Sequence, residues 1–480
     1  MERLESAGVL TPRASVPFNR PLAEELLRGV SAAGAERAIG SARGRGVLPE
    51  VPGLPATTAP LEAEVRVLRV AGLAHYREGL PCQDAWAVDR DPEGKAICAV
   101  VADGVSSVKL SHFGSELLVG ALARIAGELV RDTSGAWREN GSIMSAAFLR
   151  ELHTRTLGVY LDLCERTALH PIEATERFLC TTLHLVVMTP AETAILALAD
   201  GVTGWVDSYT RIEDDTARIK PGGNVPPLLD SVLIDAALRQ DPGWARSLAL
   251  MTEVEQNLVR EAASFHVVKY GPTAEVLPTS VELATDGAFY TDMLPRDQAS
   301  GFPLVRLGVT EQRTFEEVGE AIKLFHLARL SEELALREFE LDFVLSEGAR
   351  AGGEREIVEL EDIVLTISGE LAEAGNSSPV GATVAAALEG FLRGEGCSEQ
   401  VRVALQQNGP IFGALAPAEL PRLLRAQPGE FRAVRQELRH ALGELATRVL
   451  ADEFEVTPST LATEVFDDVT WLSIEPKRGA

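Results

Sequence analysis

In AVVADGVSS, residues 99–107, an apolar run from Ala99 to Ala102 ends abruptly in the carboxylate of Asp103. Gly104 and small hydroxyl residues follow, the usual company of turns and helix starts. Consecutive apolar residues suit a strand covered on both faces. One Asp-Gly pair alone is explained by a hairpin turn. A turn does not explain recurrence. Asp84 opens a strand-like stretch in CQDAW, Asp200 closes one in LALADG and Asp286 closes another in LATDG. Asp467 and Asp468 open the last, in FDDVT.

Neighbouring strands lie about 4.8 Å apart, so acids at strand ends on one sheet edge are close in space. Such carboxylates repel and raise each other's pKa unless a cation sits among them. An all-oxygen donor set suits Mg²⁺ or Mn²⁺ and disfavours zinc and copper. Glycine after the acid lets its backbone approach the cluster and offer a carbonyl.

The pattern along the chain supplies the frame for these acids. Residues 1–60 are rich in Pro, Gly, Ala and Arg and read as an arm, with one short helix near Pro21–Gly29. Strands are expected over 62–75, 84–89 and 95–103. A helix follows on the stripe Phe113, Leu117, Ala121, Ile125 and Leu129, widened by Leu118 and Leu122, with Ser106 and Ser107 as N-caps. A second helix is expected over 142–168, then strands over 178–188, 193–201, 204–209 and 279–287. Residues 210–278 show one helical stretch at 244–263. Residues 300–455 carry amphipathic helices rich in Glu, Arg and Leu, and 467–476 returns to a strand. One strand after a helical block indicates an insertion into a β-containing domain. The expected domains are therefore the arm at 1–60, a domain over 61–299 closed by 456–480, and a helical insertion at 300–455.

Bulk properties narrow the function. The 480 residues carry a formal net charge of −26, which disfavours nucleic acid and anionic membranes as partners. No segment reaches the roughly 18 apolar residues of a membrane span, and the N-terminus lacks an apolar signal core. Cys82, Cys98, Cys164, Cys180 and Cys397 have no CxxC spacing, which argues against zinc and a disulfide framework. A cytoplasmic setting is expected.

The ordered set Q-D-A, V-A-D-G-x-x-S, C-T-T-L, A-D-G, A-T-D-G and D-D-V-T resembles the metal-dependent serine/threonine phosphatases of the protein phosphatase 2C type, particularly their bacterial branch. The resemblance covers roughly 62–290 and 460–476. It implies an α+β fold, a four-layer αββα sandwich of two antiparallel sheets flanked by helices, with two Mn²⁺ or Mg²⁺ ions at one end. Position by position, Asp103 resembles the acid that bridges both ions, and Gly104 the glycine whose carbonyl binds one. Asp286 and Asp467 match two further ligands, and Asp84 resembles a ligand acting directly or through water. Thr181 and Thr182 resemble a threonine pair behind the site. Asp200 reads as a structural turn residue, and Asp468 as a cap or hydrogen-bonding neighbour.

The implied reaction is hydrolysis of phosphoserine or phosphothreonine on proteins, by in-line attack of a metal-bridging water.

The chain departs from that pattern at three places. Gln83 stands where many members have Glu, and Val105 stands where eukaryotic members have a histidine. Gly79 occupies the place of the phosphate-binding arginine, leaving Arg77 and His75 as candidates. These departures motivate an alternative, a pseudophosphatase that binds phosphoproteins while its helical insertion docks a partner. The insertion enters after Asp286 and leaves before Asp467, so a capping or regulatory role is expected for it, against passive packing of its own stripes. His112 reads as an ordinary helix residue, and the Glu-rich run 331–340 as a solvated face.

Overall fold

The computed structural model describes residues 35–36, 38–46, 48, 60–105, 108, 110–132, 137, 142–167, 181–198, 201–205, 208–212, 265–273, 281–285, 287, 315–343, 347–376, 378–454 and 468–477. Its elements run β1 (Ala63–Val70), α1 (Leu73–Glu78), β2 (Ala85–Arg90), β3 (Ile97–Ala102), α2 (His112–Arg131) and α3 (Ala146–Thr167). Then come β4 (Leu183–Met188), β5 (Glu192–Leu198), β6 (Gly201–Trp205), β7 (Ser208–Ile212), β8 (His266–Pro272) and β9 (Val281–Ala284). The helices α4 (Phe315–Asp342), α5 (Glu347–Glu373), α6 (Pro379–Leu392), α7 (Glu399–Gln407), α8 (Gly409–Phe412), α9 (Glu419–Ala426) and α10 (Arg432–Phe454) precede β10 (Val469–Pro476).

The strands form two sheets, ordered β1-β10-β9-β6-β7 and β2-β3-β4-β5-β8. The pairings β2-β3, β3-β4, β4-β5, β5-β8, β6-β7, β6-β9 and β9-β10 are all antiparallel. β3 explains its own composition. Ile97, Ala99 and Val101 face a core shared with Val281 and Leu283 of β9 and Leu472 and Ile474 of β10. Cys98, Val100 and Ala102 face the opposite way, against Leu118, Leu122 and Ile125 of α2 and Phe148 and Leu152 of α3. A strand buried on both faces reads as an unbroken apolar run, because neither face has water to satisfy a polar side chain. The architecture is the expected sandwich of two antiparallel sheets with flanking helices.

Local differences from the sequence reading have physical reasons. The strand expected over 62–75 stops at Val70, and α1 follows. Gly72 precedes that helix and Gly79 ends it in the left-handed conformation, φ +65°. The stretch read as one strand over 204–209 is a hairpin, β6 paired with β7. β8 was not anticipated in the unpatterned 210–278, and the helix expected at 244–263 lies outside the described residues. So do the helix near Pro21–Gly29 and the caps Ser106 and Ser107. α2 begins at His112, after Ser111. Within the expected arm, residues 38–44 are helical, and Ala35, Ala38, Ile39 and Ala42 are buried in the core that covers α2 and α3. Arg45 Nη2 donates to Val267 O at 3.1 Å and ties this segment to β8.

The chain divides into two units. One comprises Met1–Arg69, Pro81–Gly287 and Asp468–Ala480, and the other Val70–Leu80 and Ala288–Asp467. The second is helical. Ser378 and Ser398 cap α6 and α7 by accepting from Gly381 N and Val401 N. Among its buried groups is an ion network. Arg435 Nε donates to Glu361 Oε2 at 3.1 Å and Nη1 to Asp362 Oδ1 at 3.0 Å, while Arg439 pairs with Glu361 and Glu338. The Glu-rich run is therefore only partly solvated, since Glu338 neutralises a buried arginine and Glu333 pairs with Arg77.

In the sandwich unit, α3 buries His153 edge-on to Phe265, with ring centroids 6.2 Å apart. Burial lowers its pKa from the ordinary 6.5 to about 4. As pH falls below 6.5 the unfolded chain takes up a proton that the folded chain refuses until about pH 4. Stability should therefore fall across that window, by up to about 3 kcal/mol. Urea unfolding midpoints compared near neutrality and at about pH 4.5 check this, and His153→Leu should flatten the dependence.

Candidate metal centre

Register alone brings the first two acids together. Ala85 of β2 pairs with Ala102 of β3, so Asp84 and Asp103 lie one residue beyond that pair, at the same sheet edge. β4 enters from the same edge. Thr182 N donates to Asp103 O at 2.9 Å, and Asp103 N donates to Thr182 Oγ1 at 3.0 Å. Thr181 Oγ1 donates to Asp103 O at 2.7 Å, and Gly104 pairs with Thr181 in an isolated bridge. The threonine pair thus fixes the backbone that carries Asp103, rather than reaching past it.

Gly104 is required by space. A Cβ there would lie 2.5 Å from Gln83 O and 2.8 Å from Ser111 Oγ. Gln83 O is already committed, accepting from Ser115 Oγ at 2.5 Å. The Gln83 side chain is buried, with Nε2 donating to Val108 O at 3.3 Å. Its Oε1 and the Ser111 hydroxyl are buried with no hydrogen-bond partner among the described residues.

Asp84 is fully buried. Thr285 Oγ1, just past the end of β9, donates to Asp84 Oδ2 at 2.7 Å. That hydroxyl in turn accepts from Thr470 N at 2.9 Å, and Thr285 N donates to Thr470 O at 3.0 Å. Asp468 accepts the backbone N–H of Gln83 through Oδ2. Asp468 is thus a hydrogen-bonding neighbour of the site, as expected. Burial, reinforced by Asp84 and Asp468, pushes the Cys82 thiol well up. Burial would lower the Arg69 pKa, but Cys82, Glu116 and Asp84 outweigh it and raise the guanidinium overall.

Asp286, Asp467 and Asp200 lie outside the described residues, as does Cys180; Thr285 and Asp468 are the chain neighbours of the first two. Among the described residues no group of three His, Cys, Asp or Glu stands close enough to hold an ion. Arg77 and His75 lie on α1. Arg77 pairs with Glu333 of α4, and His75 is buried. Sequence reasoning missed Thr285 and Thr470, and Thr285 had a signal, being the residue before the acid in LATDG. Ser111 and Ser115 had none.

The Thr285 hydroxyl joins a carboxylate to a backbone N–H, and valine can do neither. Thr285→Val should destabilise the chain by about 1–3 kcal/mol, while Thr285→Ser keeps most of that stability. Chemical denaturation of the two variants beside the parent chain measures it.

Residues 71–214 match the family described as protein phosphatase 2C. The match includes Asp84, Asp103 and Gly104 and ends before Asp286 and Asp467. Among solved structures, the serine/threonine phosphatase Stp1 from Staphylococcus aureus is similar at 14% identity and a TM-score of 0.32, covering 55% of this chain and 90% of that one. The serine-threonine phosphatase 2C from Toxoplasma gondii is similar at 10% identity and a TM-score of 0.34, covering 89% and 100%. PppA of Pseudomonas aeruginosa is similar at 16% identity and a TM-score of 0.29, covering 54% and 92%. The comparison with curated proteins gave no match. Among the described residues, no helix is long and apolar enough to cross a membrane. Residues 71–214, which carry two strand-end acids and the threonine pair behind Asp103, are thus similar to the protein phosphatase 2C family.

Proposed function

We propose that the chain is a metal-dependent phosphatase that hydrolyses phosphoserine and phosphothreonine on proteins. The observation that carries this reading is the adjacency of Asp84 and Asp103-Gly104 at one sheet edge, inside the segment of phosphatase 2C type. The residues fit a pair of hard cations. The donors, the carboxylates of Asp84 and Asp103 and the Gly104 carbonyl, are all oxygen, the kind that hard cations take. Asp103, Gly104 O and Asp84 would hold the ions, with Asp286 and Asp467 completing the set. Once bound, Mn²⁺ or Mg²⁺ supplies a water of lowered pKa and neutralises charge on the phosphoryl group.

The chain's own residues prepare that chemistry. Thr181 and Thr182 hold the Asp103 backbone through its N–H and carbonyl. Thr285 fixes Asp84 through Oδ2. Gln83 contributes an amide where a carboxylate would add charge, which leaves the cluster less negative. Val105 has no titratable proton to give, so the leaving group is protonated by water or another residue, or departs unassisted. Arg77 and His75 remain the phosphate-binding candidates, and Arg77 would have to leave Glu333 to serve. The substrate in this reading is a phosphoprotein in the cytoplasm, with a regulatory partner at the helical insertion.

Hydrolysis of p-nitrophenyl phosphate and of a phosphothreonine peptide should require Mn²⁺ or Mg²⁺. Asp103→Asn and Asp286→Asn should each lower it about a hundredfold or more. Turnover without added metal in chelator, or full activity in both variants, overturns the reading. Calorimetric titration that detects no Mn²⁺ binding at millimolar ion favours the phosphoprotein-binding scaffold.

A further inference from the structure

The chain does not run straight from β1 to Asp84. Arg69 and Cys82 meet, Arg69 Nη2 donating to Cys82 O at 2.9 Å, yet Val70–Leu80 between them belong to the helical unit. Segment Val70–Leu80 is held there at several points. The Tyr76 hydroxyl donates to Glu370 Oε2 of α5 at 2.9 Å, and Arg77 pairs with Glu333 of α4. His326 Nε2 of α4 lies 3.1 Å from Ala71 O, and its ring meets Tyr76 edge-on. Leu73 and His75 are buried.

The exit from this segment is stiff. Gly79 closes α1, Leu80 N donates to His75 O at 2.9 Å, and Pro81 fixes its own φ. Only Pro81, Cys82 and Gln83 separate Leu80 from Asp84. Three residues span about 10 Å at most, so they absorb little displacement. Gln83 has no freedom to spare, since its N–H is bound to Asp468 and its side chain to Val108 O.

We propose that the helical unit positions Asp84 through this covalent link, and that Tyr76, Arg77, Glu333 and Glu370 are positioning residues for it. A shift of α4 or α5 pulls on α1, and α1 pulls on the chain that enters Asp84. A partner that binds the helical unit would thereby change the metal centre without touching it. That consequence rests on the phosphatase reading, whereas the coupling itself does not.

Hydrogen exchange in the full-length protein tests the coupling with no metal present. In the double variant Tyr76→Phe with Glu333→Ala, the amides of Cys82, Gln83 and Asp84 should exchange about tenfold faster, with β3 and β4 unchanged. Arg77→Glu should do the same, and adding Glu333→Arg should restore protection. Mn²⁺ affinity, read by titration, should fall about three- to tenfold in the double variant. If the amides of Tyr76 to Gly79 loosen while those of Cys82 to Asp84 keep their rates, the coupling is wrong. It is equally wrong if α1 itself does not loosen. A parent chain that binds no Mn²⁺ removes the phosphatase reading, and the exchange rates then decide the coupling alone.

Discussion

Two hydrogen bonds cross from sheet to sheet at the candidate centre, from Thr285 to Asp84 and from the Gln83 N–H to Asp468. Thr285, at the end of β9, donates to Asp84, at the start of β2, and the two strands belong to different sheets. Burying a carboxylate is costly unless hydrogen bonds stabilise it, and this contact supplies one to Asp84. The same hydroxyl accepts from Thr470, which ties β10 into the arrangement. Apolar packing holds the two sheets face to face, but it is non-directional and cannot fix the offset between their edges. The polar bridge supplies that direction.

How much of this was legible in the sequence depends on what each residue answers to. β3 was plain, because burial on both faces demands an apolar run and the run ends at the acid. α2 was plain through its four-residue stripe, although the buried face centres on Leu118 and Leu122, and Phe113 and Leu117 are only half-buried. The placement of Asp84 and Asp103 at strand ends was legible too, and the register of β2 with β3 puts them at one end of the pair. α1 was not legible. Leu73, Ala74 and His75 continue an apolar pattern, and what makes them helical is packing against a unit more than 200 residues away in sequence. Thr470, Ser111 and Ser115 were hidden for a similar reason, since a single hydroxyl becomes informative only when its distant partner is known.

The helical unit shows a different balance. Its buried arginines are matched by Glu361, Asp362 and Glu338. Around Glu361, burial raises the carboxyl pKa more than Arg439 and Arg435 lower it. Such a network adds little net stability over well-packed apolar residues, but removing one partner strands a buried charge at a cost of about 3–5 kcal/mol. It favours one arrangement of α5 against α10 over its alternatives. A unit with a definite arrangement is what a mechanical link through α1 requires.

The helical turn at 38–44 bears on how the protein can be cut. Ala35, Ala38, Ile39 and Ala42 complete the apolar layer over α2 and α3, so they are structural mortar although they precede the first strand by some twenty residues. Cleavage between that turn and β1 would leave the piece in place only through its own contacts, such as Arg45 on β8. Its departure would bare a greasy wall on an otherwise acidic molecule, and a fragment trimmed to begin at Pro60 would tend to clump through that wall.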